Sequence, residues 1–189
     1  MEAVKIVALC LVSCIVYGIC QDHVTVRVCV DYFTVGHPPI FGGIKDPTLL
    51  AISWGLLATW WVGLLLGLPA AFLARIGSRP KLAWRDLRVP ITMLMFVVAI
   101  TAFVAGLAGH ASADFDRAYF PSQRAEDQPR YAADASAHNA AYAAGFIGGL
   151  LICGWIWWKR GRDERRGLHK ELDRLRSENQ ELMKRLSNR

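Results

Sequence analysis

Apolar positions in this chain gather into four runs separated by polar connections. Three of them, 48–74, 89–109 and 139–158, reach the roughly 20 residues that a helix needs to cross a hydrocarbon layer about 30 Å thick. A fourth run, 4–20, is shorter. Hydrocarbon cannot solvate backbone N–H and C=O groups, so each spanning run must satisfy them internally as a helix. The pattern predicts an all-α membrane protein, with four transmembrane helices in residues 1–160. The helices are joined by loops 21–47, 75–88 and 110–138 and followed by a polar tail, 161–189.

Within the first loop the period changes. Val24, Val26, Val28 and Val30 alternate with Thr25, Arg27, Cys29 and Asp31, and period two predicts a strand. Tyr32 to Val35 extend it or return as a hairpin until Gly36, His37, Pro38 and Pro39 end regular structure, so a short β-hairpin-like loop is expected here. In the second run Gly63 and Gly67 form a GxxxG pair, a spacing that lets two helix backbones approach closely, whether within the chain or between chains. Ala144 and Gly148 repeat the small-residue spacing in the fourth run. The connection 110–138 is polar, with Pro121, Pro129 and five acids; it has room for a short surface helix and lets the last helix begin as early as Pro129.

The tail carries a different repeat. Leu168, Leu175 and Leu182 at d positions of a heptad place Leu172, Asn179 and Leu186 at a. One Asn among leucines at a selects register and favours a parallel dimer, because its amide is satisfied by its symmetry mate. Glu171 at g also faces Arg176 at e of a partner. A cytoplasmic helix with coiled-coil heptads, pairing the chain as a homodimer, is the expectation; a lone solvated amphipathic helix is the alternative. Carried backwards, the frame passes through Gly161, Gly154, Ile147 and Ala140 at d and Trp158, Leu151 and Ala144 at a.

Charge orients these elements. The net charge of +6 is concentrated in two segments: Arg75, Arg79, Lys81, Arg85 and Arg88 face a single Asp86, and the chain after Trp158 has eleven Lys or Arg against six acids. The positive-inside rule puts these segments in the cytoplasm of a cell (inner) membrane, and four crossings then place the N-terminus there too. No recognition motif accompanies the charge, so nucleic acid is not an expected partner; membrane lipid is. Leu11, Val12, Ser13 and Cys14 loosely resemble a lipoprotein processing site, but an Ala-x-Ala site is missing and apolar residues continue to Cys20. The first run is therefore read as a retained anchor rather than a cleaved leader.

Reactive chemistry is sparse. The runs lack Asp, Glu, Lys, Arg and His away from their ends, which disfavours ion pumps and proton-coupled carriers. HExxH and the phosphate-binding loop are absent. Cys20 and Cys29 both fall on the outer side, where a disulfide is chemically permitted; a CxxC pair for thiol redox catalysis is not present. Imidazole and carboxylate suit zinc, and the outer residues that offer them are His37, His138, Asp31 and His110, without ligand spacing. The sequence calls for no cofactor.

Three segments, VRVCVDYFTVGHPPIFG at 26–42, SWGLLATWWVGLLLGLP at 53–69 and AHNAAYAAGFIGG at 137–149, resemble a family of uncharacterised bacterial multi-pass membrane proteins. The resemblance implies a bacterial source and residence in the cytoplasmic membrane, and it implies no reaction. The expected function is a self-associating scaffold or binding protein whose outer face, around Tyr32, Phe33, Gly36, His37, Pro38, Pro39, His138 and Tyr142, recognises a protein or small ligand. A membrane enzyme or metal-binding protein using the outer His and Asp residues is the second class, and a passive channel or transporter component the third.

Overall fold

A computed structural model describes residues 1–112 and 127–188. Its elements are α1 (Glu2–Val28), α2 (Val30–Thr34), a 3-10 turn (Pro39–Phe41), α3 (Pro47–Arg75), α4 (Trp84–Ala111) and α5 (Gln128–Ser187). The described residues contain no strand, and α1, α3, α4 and α5 are long and apolar enough to cross a membrane. Asp114, Asp116, Pro121, Glu126 and the surface helix expected among them lie outside the described residues.

The expected hairpin is replaced by helix. α1 runs on through 21–28, and α2 follows after a single extended residue, Cys29. Valines two apart are also pairs four apart. Val24 and Val28 lie on the exposed face, whereas Val26 is buried against Phe33, Leu50, Ala51 and Trp54. Polar side chains support the helix from within: Thr25 donates to the Gln21 carbonyl at 3.1 Å, and Arg27 bonds the His23 carbonyl at 2.6 Å and Thr48 at 3.0 Å. A strand beside an apolar layer would leave one edge of its backbone unpaired, a cost that helix avoids.

The four long helices form two tightly packed pairs, α1 with α3 and α4 with α5. Gly63 and Gly67 explain the first. A Cβ on Gly63 would lie 2.6 Å from Leu11 Cα, and one on Gly67 would lie 3.0 Å from Val7 Cα. The GxxxG spacing is thus used inside the chain, backbone against backbone. Gly148 plays the same part in the second pair, where the Leu94 side chain occupies the space a Cβ would need, and Ala144 packs against the common core. Gly63→Ala should lower stability by about 1–3 kcal/mol, the usual cost of overpacking, read as a fall in melting temperature of detergent-purified protein.

At one end, rich in arginine, the pairs are clamped together. The α3 C-terminus leaves carbonyls without helical partners. Ile76 N–H satisfies Phe72, and Leu82 N–H satisfies Ala74 at 3.1 Å. The guanidinium of Arg160, from α5, takes Leu73 together with Ile76 at 2.6 Å, Arg79 at 2.9 Å and Pro80 at 2.9 Å. Gly77, at φ 71°, makes the left-handed turn that brings these carbonyls around one cation. Arg79 in turn pairs with Glu164 at 3.1 Å and stacks over Trp157 at 4.4 Å. Glu2 accepts the Trp84 N–H at 3.3 Å, tying α1 to the start of α4.

Beyond this clamp α5 continues unbroken to Ser187; at 1.5 Å per residue its 60 residues measure about 90 Å. Residues 165–188 are exposed throughout, held by ion pairs one turn apart such as Arg174–Glu178 at 2.9 Å. Carried backwards, the heptad frame stays on the exposed side of α5 at Trp158, Gly154, Leu151 and Ile147, while Gly161 is buried beside Arg79 and Ala144 packs partly against the core.

Candidate functional site

The opposite, histidine-bearing end is where α1, α2, α3 and α5 meet. α5 begins at Gln128, and its first turns present Tyr131, Asp134 and His138 on one face, three and four residues apart. α1 contributes Asp22 and α2 contributes Tyr32 and Phe33. Their contacts are specific. His138 Nδ1 lies 2.8 Å from the Asp134 backbone carbonyl, and Nε2 lies 3.1 Å from Asp22 Oδ1. A carbonyl only accepts, so Nδ1 carries hydrogen. Both ring nitrogens are therefore engaged.

Aromatic rings enclose the pair. Tyr32 stands 4.6 Å from His138, 4.8 Å from His37 and 5.5 Å from Tyr131 between ring centroids. His37 packs 4.6 Å from Trp54 and bonds the Tyr32 carbonyl through Nδ1 at 2.7 Å. Much of this cluster faces inward: Phe33, Tyr131, Trp54 and His138 are buried, and Phe33 and Trp54 join Val26, Leu50 and Ala51 in a small second core. Of the expected recognition residues, Gly36, Pro38 and Pro39 stay on the surface, beside the exposed Val35 and Ile40.

The metal candidates do not assemble. Among the described residues no three of His, Cys, Asp and Glu come together as ligands. His37 and His138 are separated by the Tyr32 and Phe33 rings, Asp31 begins α2, and His110 is exposed at the end of α4. The disulfide does not form either. All five cysteines are free, with Cys20 exposed and Cys29 buried. Because α1 is helical through Val28, nine residues separate the two by about 13 Å of rise, beyond disulfide reach.

Asp134 is the residue that sequence reasoning passed over, counting it only as one acid of a polar loop. It is 1% exposed, and neither carboxyl oxygen has a hydrogen-bond partner. Burial pushes its carboxyl up to about 8, the nearby Asp22 charge adds in the same direction, and the Cys29 N–H pulls back. Asp134 precedes the apolar stretch 139–158 of α5. The available signal was its spacing of four residues from His138, legible once the helix is known to start at Gln128.

Three cavities adjoin this cluster among the described residues, one of them a surface hollow of about 90 Å³ between Pro38, Phe41 and Trp54. An interior one of about 70 Å³ lies between the helix pairs and reaches Asp22, His138 and Tyr142, ending on Leu66, Leu94 and Val98. A lateral cleft of about 460 Å³ lies between α1, α4 and the start of α5. Tyr17 and Gln21 border both, and the Tyr17 hydroxyl donates to the Gln21 side-chain oxygen. Comparison with protein-family models, curated proteins and solved structures finds no match to this chain.

Proposed function

We propose that the protein is a non-enzymatic, self-associating membrane protein. Its tails pair as a parallel dimer in the cytoplasm, while the outer end carries a recognition surface. The observation that supports this reading is the α5 rod. Leu168, Leu172, Leu175, Leu182 and Leu186 are 48–67% exposed at heptad spacing, with Asn179 at one a position. A seam of leucines in water is removed from it when two rods pair. The Arg160 clamp fixes where each rod leaves the membrane domain, and confinement of both protomers to one bilayer raises their effective concentration, which offsets the shortness of a three-heptad zipper. The excess of Lys and Arg in 75–88 and after Trp158 is the basis for placing both termini in the cytoplasm of a bacterial inner membrane.

The outer surface offered to a protein or small ligand is formed by Val35, Gly36, Pro38, Pro39 and Ile40 over the aromatic core. Catalysis by the outer His and Asp residues is the weaker reading, since His138 has no nitrogen left to act as base or ligand. A passive channel is weaker too, because the interior cavity ends on aliphatic side chains.

Leu175→Cys should give a reductant-sensitive dimer on oxidation in native membranes, well above the wild-type background, whereas Ser177→Cys on the other face of the rod should not. Equal cross-linking at the two positions, or none at Leu175→Cys, overturns the pairing.

A further inference from the structure

The lateral cleft has the chemistry of a binding site, and what fills it follows from its walls. Val24, Val28, Phe103 and Leu107 line it and are themselves exposed on the apolar helices, so its mouth opens sideways. Ala99, Ala102 and Gly106 from α4 and Ala133 and Ala137 from α5 keep its floor back. The cleft lies where α1 and α4 diverge, beside the close pairs α1–α3 and α4–α5, which are joined at the arginine end by Arg160 and at the histidine end by His138 with Asp22. Hydrocarbon, not water, meets such a mouth in a bilayer.

The cleft is polar at two levels, with Tyr17 and Gln21 toward its inner end and Asp134 and His110 at its outer end, and its hydrogen-bond inventory is lopsided. The side-chain oxygen of Gln21 accepts from Tyr17, leaving its amide hydrogens to donate. Asp134 borders the cleft and is 1% exposed, and among the described residues only the Cys29 N–H, itself bonded to the Thr25 carbonyl, approaches its carboxyl. The groups around it are acids or already engaged: Asp22 with His138 from α1 and α5, Tyr32 and Cys29 from the α2 region, and Tyr131 on its own helix. With no cation beside it among the described residues, and with burial opposing its charge, Asp134 is held as the neutral acid, which donates a hydrogen bond. His110, at the end of α4, completes this rim. Donors above an apolar trough suit a ligand with acceptors at one end and an alkyl chain at the other.

We infer that the cleft between α1, α4 and α5 binds a long-chain amphiphile with an uncharged, carbonyl-bearing head, its head toward Asp134 and its chain running inward past Val24 and Gln21 to Phe103 and Ala99. The ligand enters sideways from the lipid. This site is separate from the tail seam, so dimer formation and ligand binding succeed or fail independently.

Native mass spectrometry of the delipidated full-length protein, titrated with 1-oleoylglycerol, tests the inference, with oleate and oleylamine as charged counterparts. Wild type should take up one 1-oleoylglycerol in preference to either. Ala99→Phe and Val24→Trp, which fill the trough from exposed positions, should weaken uptake by at least about tenfold. Asp134→Leu should do the same, while Asp134→Asn, which keeps a donor, should stay within about threefold. Undiminished uptake in both trough-filled variants, preference for oleylamine, or no defined adduct with wild type would each overturn it. Circular dichroism of every variant confirms that a loss of binding is not a loss of fold.

Discussion

Arg160→Ala should be the most damaging single substitution in the chain, lowering stability by about 3–5 kcal/mol. The side chain is 1% exposed and donates to four carbonyls, all from the end of α3 and the turn after it. Each hydrogen bond to a charged group contributes about 1.5–3 kcal/mol, and a buried carbonyl left unpaired costs about 1–3 kcal/mol. Water entering the truncated site recovers part of the sum, which sets the expected loss below four full bonds. The cation also faces the negative end of the α3 dipole, a further favourable term. Arg160→Lys keeps the charge but not the planar fork, and one ammonium cannot reach carbonyls spread from Leu73 to Pro80, so it should restore less than half of the loss. Thermal unfolding in detergent gives both values. A shift for Arg160→Ala no greater than that of an exposed control such as Arg166→Ala would show that the clamp does not hold the pairs together.

The four helices long and apolar enough to cross a membrane were legible because the constraint behind them is coarse: about 20 apolar residues per span leaves few alternatives at this length. The sites were not, because each depends on which helix faces lie together. Alternating valines at 24–30 satisfy a strand and a helix equally when one face is exposed and the other packed, and the decision came from Thr25, Arg27 and their carbonyl partners. Gly63 and Gly67 announced a close approach without naming the partner, which proved to be α1. Arg160 read as one more interfacial cation, since nothing local shows that α3 ends beside it. A last helix starting as early as Pro129 was legible, and α5 does start at Gln128, but Asp134 was still counted as a loop acid and His138 as an outer histidine. Their shared face, and the encounter of His138 with Asp22 at a separation of 116 residues, appear only when the helices are packed.

Asp134 also makes stability depend on pH, and the sign distinguishes it from an ordinary paired carboxylate. Its folded value, about 8, stands above the 3.8 of an exposed aspartate because burial opposes the charge. The folded state therefore binds the proton more tightly than the unfolded state. The stability this contributes is fully present below pH 4 and is lost as pH rises through about 8, beyond which it changes no further. Across that window one group accounts for a few kcal/mol, taking about 1.4 kcal/mol for each pH unit and allowing for relaxation and water entry once the acid ionises. Wild-type protein should melt at a lower temperature at pH 8 than at pH 5, and Asp134→Asn, which cannot ionise, should lose most of that difference. Asp22 and His138 remain in the variant, so any slope they impose is common to both proteins and cancels in the comparison. Parallel melting curves for the two proteins from pH 5 to pH 8 would show that Asp134 is already ionised in the fold. The neutral donor that the lateral cleft requires would then be absent, and the charge at its rim would favour oleylamine over 1-oleoylglycerol.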